Sequence, residues 1–215
     1  VATGAGSTAT VTASLSGAGT ANLSGTLTAS ATGGNLYFND LRITGDSGNY
    51  TLTYAVTSPA SLNAISATQS IAVSAGAAVA LVVTQQPSTV QTRATMTPAP
   101  TVSLRDAWNN VVVGDSSSTV TVQLLDSTGT AVSTESAPVT ASAGVATFSS
   151  IAYQTTPADG YRLRFKLGGN VATATSSAFT VNPGDATELR ITTQPSTLDA
   201  FANRSKTGEL LMVQP

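Results

Sequence analysis

The stretch Leu81-Val82-Val83-Thr84-Gln85-Gln86-Pro87-Ser88-Thr89 returns as Leu189-Arg190-Ile191-Thr192-Thr193-Gln194-Pro195-Ser196-Thr197, a shift of 108 residues in a chain of 215. Three further matches lie outward from this pair, in order. GGNLYFNDLRI at 33–43 answers AGVATFSSIAY at 143–153, which sets Phe38 against Phe148 and Leu41 against Ile151. GNYTLTYAV at 48–56 answers DGYRLRFKL at 159–167, with Tyr50 against Tyr161 and Tyr54 against Phe165. ATQSIAV at 67–73 answers TSSAFTV at 175–181. Four ordered matches at nearly one spacing establish an internal repeat about the length of a small domain.

Within each unit, apolar and polar residues alternate in short runs bounded by turn residues. Val120, Val122 and Leu124 fall on one face while Thr119, Thr121 and Gln123 fall on the other, the period of a half-buried strand. Tyr161, Leu163, Phe165 and Leu167 repeat the pattern. In the second unit this predicts strands over 79–84, 101–105, 118–125, 145–152, 161–167 and 175–181, with another near 137–141. No stretch carries a helical period. Six or seven short strands per unit predict an all-β chain of tandem immunoglobulin-like Greek-key sandwiches. A Tyr also opens a late strand in each unit, Tyr50 after Asp46-Ser47-Gly48-Asn49 and Tyr161 after Asp159-Gly160. There its hydroxyl can return to the preceding turn, the tyrosine corner of such folds.

Composition narrows the function classes. Charged residues are 9% of the chain and the net charge is −2, so no basic patch exists to neutralise phosphates and nucleic acid is excluded as a partner. No run of about 18 apolar residues marks a membrane-spanning helix. The chain has no His and no Cys, which removes His-based nucleophilic triads, His-ligated metals and thiol chemistry. The acids stand singly in turns and strand ends rather than as the facing pair that glycoside hydrolysis needs. The expectation is a protein that is not an enzyme and carries no cofactor.

TVSLRDAWNNVVVG at 101–114, STVTVQLL at 118–125, ASAGVATFSSI at 141–151 and DGYRLRFKL at 159–167 together resemble the bacterial Ig-like (Big) repeats of invasin- and intimin-type surface proteins. Their pattern runs Asp-Ala-x-Gly-Asn, Thr-Val-Thr-Val, Gly-Val-Ala-Thr, Gly-x-Tyr-x-Leu. Trp108-Asn109-Asn110 stands where that family has x-Gly-Asn, and Asn109 tolerates the left-handed backbone such a turn needs. The resemblance implies display on a bacterial or archaeal cell surface, extracellular, with adhesion delegated to specialised domains.

Laid on the repeat, residues 1–75 read as an Ig-like unit lacking its first strands, 76–182 as a complete unit, and 183–215 as the opening of a following one. Three expectations follow for the ends: a window from a longer chain of repeats, copies joined head to tail by strand complementation, or a solitary protein with ragged ends. The functional expectation is a structural stalk, fibre or layer whose partners are neighbouring repeats or other copies of itself. Leu189, Ile191, Leu210, Leu211, Val11 and Leu15 are the candidate self-association residues. The alternative is an adhesin or carbohydrate-binding module that meets glycans or a host surface through loop tips. Trp108, the sole Trp and placed in a loop, is its candidate contact; packing between adjacent units is the competing role. Asp106, Asp185 and Glu188 flank the unit boundaries and are weak candidates for junction Ca²⁺, a hard ion that needs several converging oxygens.

Overall fold

A computed structural model describes residues 8–17, 19–170, 172–186, 188–192 and 213–214. It is all-β, and the second repeat is the best-filled part. Its strands are β7 (Ala80–Gln85), β8 (Val90–Gln91), β9 (Thr101–Arg105), β10 (Thr119–Leu125), β11 (Val139–Thr140), β12 (Val145–Thr147), β13 (Ala158–Leu167), β14 (Thr173–Thr175) and β15 (Phe179–Asn182). One sheet runs β12-β9-β7; the other runs β11-β10-β13-β15-β8, with β14 also on β13. The opening strand thus serves both sheets, as β7 antiparallel to β9 and as β8 parallel to β15. This is the strand order of an immunoglobulin-like sandwich, with A, B and E on one side and C, F, G and A′ on the other.

Alternation produces the core directly. Val120, Val122, Leu124, Leu163 and Phe165 of one sheet and Val102 and Leu104 of the other are at most 1% exposed, and Phe148 packs on Phe165 with ring centroids 5.1 Å apart. Each such side chain stabilises the fold by roughly 1.5–3 kcal/mol. Both tyrosine corners form. Tyr161 Oη donates to Thr156 O at 2.7 Å, and Tyr50 Oη donates to Asp46 O at 2.9 Å.

Two predicted strands differ from those found. The one expected over 145–152 stops at Thr147: beyond it Phe148 N turns to Pro100 O, and Ile151 O and Tyr153 O accept from Met96 N and Arg93 N. The one expected over 175–181 is divided, because Ser176 breaks the ladder; its buried Oγ accepts the Leu163 N–H at 2.9 Å in place of a carbonyl. Serines act the same way along the other edge of this sheet. Ser136 Oγ accepts from Val122 N and Ser133 Oγ from Leu124 N, at 3.0 and 2.9 Å. A hydroxyl-rich sequence thereby satisfies strand edges without a further strand.

The first repeat has β1 (Thr10–Gly17), β2 (Asn22–Ser24), β3 (Thr28–Ser30), β4 (Arg42–Thr44), β5 (Gly48–Ser58) and β6 (Ser66–Val73). Its sheet order β3-β1-β5-β6 matches the C′, C, F and G strands of the second repeat, and β2 pairs with β4 in a two-stranded ribbon. The bridge Thr32↔Asn35 reproduces Ser142↔Val145, which opens β12. Among the described residues no strand pairs with 35–37, the β12 counterpart, and Tyr37 is 67% exposed. Among the described residues no A, B, E sheet stacks on this face. Val11, Ala13, Tyr50 and Leu52 are buried and Phe38 covers Tyr54 at 5.2 Å, but Leu15, Val56, Ile71 and Val73 are only half-buried. Beyond the second repeat, β16 (Glu188–Leu189), the counterpart of the start of β7, pairs antiparallel with β17 (Val213–Gln214).

Candidate functional site at the junction of the two units

A dense polar arrangement lies where the two repeats meet. Strand β9 ends at Arg105, and the next five residues must reverse direction towards Val111, which bridges back to Arg105. Asp106 organises that turn. Its Oδ1 accepts from Trp108 N and Asn110 N, both at 2.9 Å. Asn109 takes φ 63°, the left-handed conformation that Asn accepts more easily than most residues. Arg105 Nη1 donates to Asn109 O at 2.9 Å and closes the outer side.

The other carboxylate oxygen reaches between units. Asp106 Oδ2 accepts from Gly76 N, in the connection after β6, at 2.9 Å and from Asn110 Nδ2 at 3.0 Å. The Asn110 carboxamide then grips the first repeat: Nδ2 donates to Gly45 O at 3.0 Å, and Oδ1 accepts from Ser47 N at 2.8 Å. Its orientation is fixed by its partners, since a carbonyl and a carboxylate only accept and an N–H only donates. Gly45 has φ +118°, and a Cβ there would stand 2.9 Å from Ala21 Cα, so the gripped turn admits no larger residue without shifting. Burial pulls the Asp106 pKa upward, but the Asn110 carboxamide and the N–H groups of Gly76, Asn110 and Trp108 outweigh it and hold the carboxyl at about 2. A cleft of about 380 Å³ lies beside these bonds, with Ile43, Val73, Val79 and Trp108 among its walls.

The positions of the sequence candidates can now be compared. Trp108 lines this cleft but remains 57% exposed. Asp106 spends its oxygens on four N–H contacts, so a cation there would have to displace them. Asp185 is exposed after β15 at the exit end of the second unit, and Glu188 lies in β16. The three acids are not brought together, and among the described residues no cluster of three or more acidic or thiol ligands forms. Val11 and Leu15 share the apolar face of β1, Leu189 lies in β16 and Ile191 is 61% exposed, while Leu210 and Leu211 lie outside the described residues. Asn110, Gly45, Ser47 and Gly76 were not singled out by the sequence as connecting residues; only Asn109, beside Asn110, was read there as a turn residue.

A second hollow, about 570 Å³, opens at the sandwich edge between 133–139 and 147–153, over Phe148, Ile151 and Val139. In the first repeat the equivalent chains pair as the β2–β4 ribbon, Leu23 against Ile43. Here Ser133 and Tyr153 take those places. Ser133 Oγ is committed to Leu124 N and Thr134 O, and the Tyr153 hydroxyl buried beside it meets no hydrogen-bond criterion with any described residue; burial pushes its pKa up to about 12, against the lowering effect of the nearby Ser133 hydroxyl.

No protein family matches the chain, and no curated protein sequence does. Among solved structures it is similar to the D0-D1 domain of intimin, at 11% identity and a TM-score of 0.31 over 81% of this chain and 82% of that one. It is also similar to dimeric latent PorU from Porphyromonas gingivalis, at 16% identity and a TM-score of 0.33, over 85% of this chain and 17% of that one. Superpositions this loose assign neither family nor function. Among the described residues no helix is long and apolar enough to cross a membrane.

Proposed function

We propose that the chain is a structural element of an extracellular, cell-surface array of immunoglobulin-like repeats, a stalk, fibre or layer without catalytic activity. The observation that carries this reading is the half-covered apolar face of the first sheet. The C′, C, F and G strands are present there, and the same chain's second unit displays the A, B, E sheet that such a face requires. An adjacent repeat covers this face, either from the same polypeptide or from a second copy, whose 183–215 segment carries the counterpart of the opening strand. The repeated Gln-Pro-Ser-Thr stretch supports this: Gln86-Pro87-Ser88-Thr89 leads into β8, which joins β15 in parallel, and Gln194-Pro195-Ser196-Thr197 is its counterpart. Strand β6 is the edge it would join. It spans eight mostly exposed residues with no charge and no Pro, an edge that templates pairing unless covered.

Analytical ultracentrifugation with electron microscopy of the purified chain separates the two sources. Concentration-dependent rows of sandwiches, abolished by Leu189→Asp with Ile191→Asp, identify a second copy as the donor. A monomer whose first unit gains stability only when extended by a preceding repeat identifies the same polypeptide. A monomer whose first unit is stabilised by neither refutes the reading. The adhesin alternative has one observation in its favour, the exposed indole of Trp108 beside the junction cleft. A glycan array read with the parent chain and Trp108→Ala tests it.

A further inference from the structure

We infer that Asp106 and Asn110 form an inter-repeat latch: Asp106 fixes the Asn110 carboxamide, which clamps the Gly45–Ser47 turn of the preceding unit, so that the two sandwiches move as one body. This rests on the reading of the chain as a repeat array and adds what sets its stiffness. Short connections between sandwiches leave relative domain motion as the default unless something fixes the interface. Here two hydrogen bonds from a single side chain cross the boundary, at 2.8 and 3.0 Å, and a third, from Gly76 N, ties down the connection itself. The three converge on two side chains that also hold the β9–β10 turn, so the latch is built into the second unit before the first docks on it.

The tyrosine corners show that the latch is specific to this boundary. Tyr50 and Tyr161 correspond, and so do their acceptors Asp46 and Thr156. The second corner is one residue longer, five residues from Thr156 to Tyr161 against four from Asp46 to Tyr50, so counted from the acceptors the place of Ser47 falls to Pro157, which has no N–H to donate. The counterpart of the Gly45 carbonyl is that of Thr155, which already accepts from Thr92 Oγ1 at 3.0 Å. The exit turn of the second unit cannot be gripped as the first unit's is. An array built from these units has one stiff joint followed by a freer one.

Double electron–electron resonance on the full chain tests this, and the absence of Cys lets two labels be placed cleanly at the exposed Thr68→Cys and Arg162→Cys. The parent should give one narrow distance. Ser47→Pro deletes a latch donor without touching the second unit, and Pro157 shows that the corresponding turn takes a proline. It should broaden the distribution about twofold, as expected when a fixed interface reverts to ordinary interdomain motion. Asn110→Ala should broaden it as much, with amide-exchange protection of β10 and β13 retained. A broad distribution in the parent, or a narrow one in either variant, overturns the latch. Both labels lie in one chain, so failure of copies to associate leaves this result unaffected, and a negative result here leaves the array reading standing.

Discussion

Deleting a single oxygen, by Tyr161→Phe, asks whether the tyrosine corner holds the second sandwich. Tyr161 is 6% exposed; its hydroxyl donates to Thr156 O at 2.7 Å and lies 3.0 Å from Thr155 Oγ1. Phe keeps the ring and its packing against Phe179, 6.3 Å away between centroids, so no cavity opens. What is lost is one good neutral hydrogen bond, ~1 kcal/mol, and a poorer contact worth a few tenths. Thr156 is exposed, so water reaches its carbonyl and the penalty for a stranded acceptor applies only in part. The total comes to ~1.5 kcal/mol, which in a domain of this size lowers Tm by about 6–10 °C. Urea unfolding followed by circular dichroism measures the loss, and hydrogen exchange of the β13 amides assigns it to the second unit. The m-value should not change, because Phe exposes the same surface on unfolding. A loss below ~0.5 kcal/mol would show that water replaces the corner at no cost and refute the reasoning. A changed m-value would show rearrangement instead of a deleted bond.

Three further outcomes are expected. Phe165→Ala, at a site with no exposure and an aromatic partner in Phe148, should cost about 3–5 kcal/mol in the same urea experiment, far above the corner variant. Trp108→Ala, by contrast, removes a side chain already 57% exposed and should shift stability by less than about 1 kcal/mol, so any large loss of binding it causes is a direct contact effect. Asp106 has a folded pKa of about 2 against an ordinary 3.8. A depressed carboxylate contributes stability that is fully present above its unfolded value and is lost as pH falls through its folded one. Thermal melts should therefore be flat above about pH 5 and fall between about pH 4 and pH 2. Asp106→Asn should melt lower at neutral pH and show a shallower acid decline, with Asp115 and Asp126, lowered by hydrogen bonds from their own turns, and Asp40 and Asp46, lowered by those from Thr26 and Thr20, contributing to the remainder.

Much of the fold was legible because it is written locally. The alternation through Val120–Leu124 and Tyr161–Leu167 is enforced by geometry with period two, so the faces of β10 and β13 follow from spacing alone. The corners were legible too, since each Tyr lies within five residues of its acceptor. The strand ends were less so. Ser133 and Ser136 fall between the strands predicted from sequence and Ser176 inside one, yet all three hydroxyls take ladder positions, beside Leu124, Val122 and Leu163. Nothing in the spacing tells a serine that decorates an edge from one that replaces a carbonyl.

The junction was illegible for a related reason, and it changes where specificity in such a chain resides. The contacts of Asn110 lie 63 and 65 residues away, beyond any periodicity. Its sequence neighbours account fully for a turn residue: Asp106 caps, Asn109 adopts positive φ, and a second Asn completes the reversal. Only in the folded chain does the carboxamide prove to point outward from its own unit. A repeat can therefore keep every core and corner residue and still change its joint by one substitution, as the pairing of Ser47 with Pro157 illustrates. Sandwich cores make the units alike, whereas a few polar turn residues decide whether successive units are welded or hinged. If the latch variants behave as expected, the stiffness of an array becomes readable from the residue that follows the corner tyrosine's acceptor in one unit and from the Asp-x-x-x-Asn turn of the next.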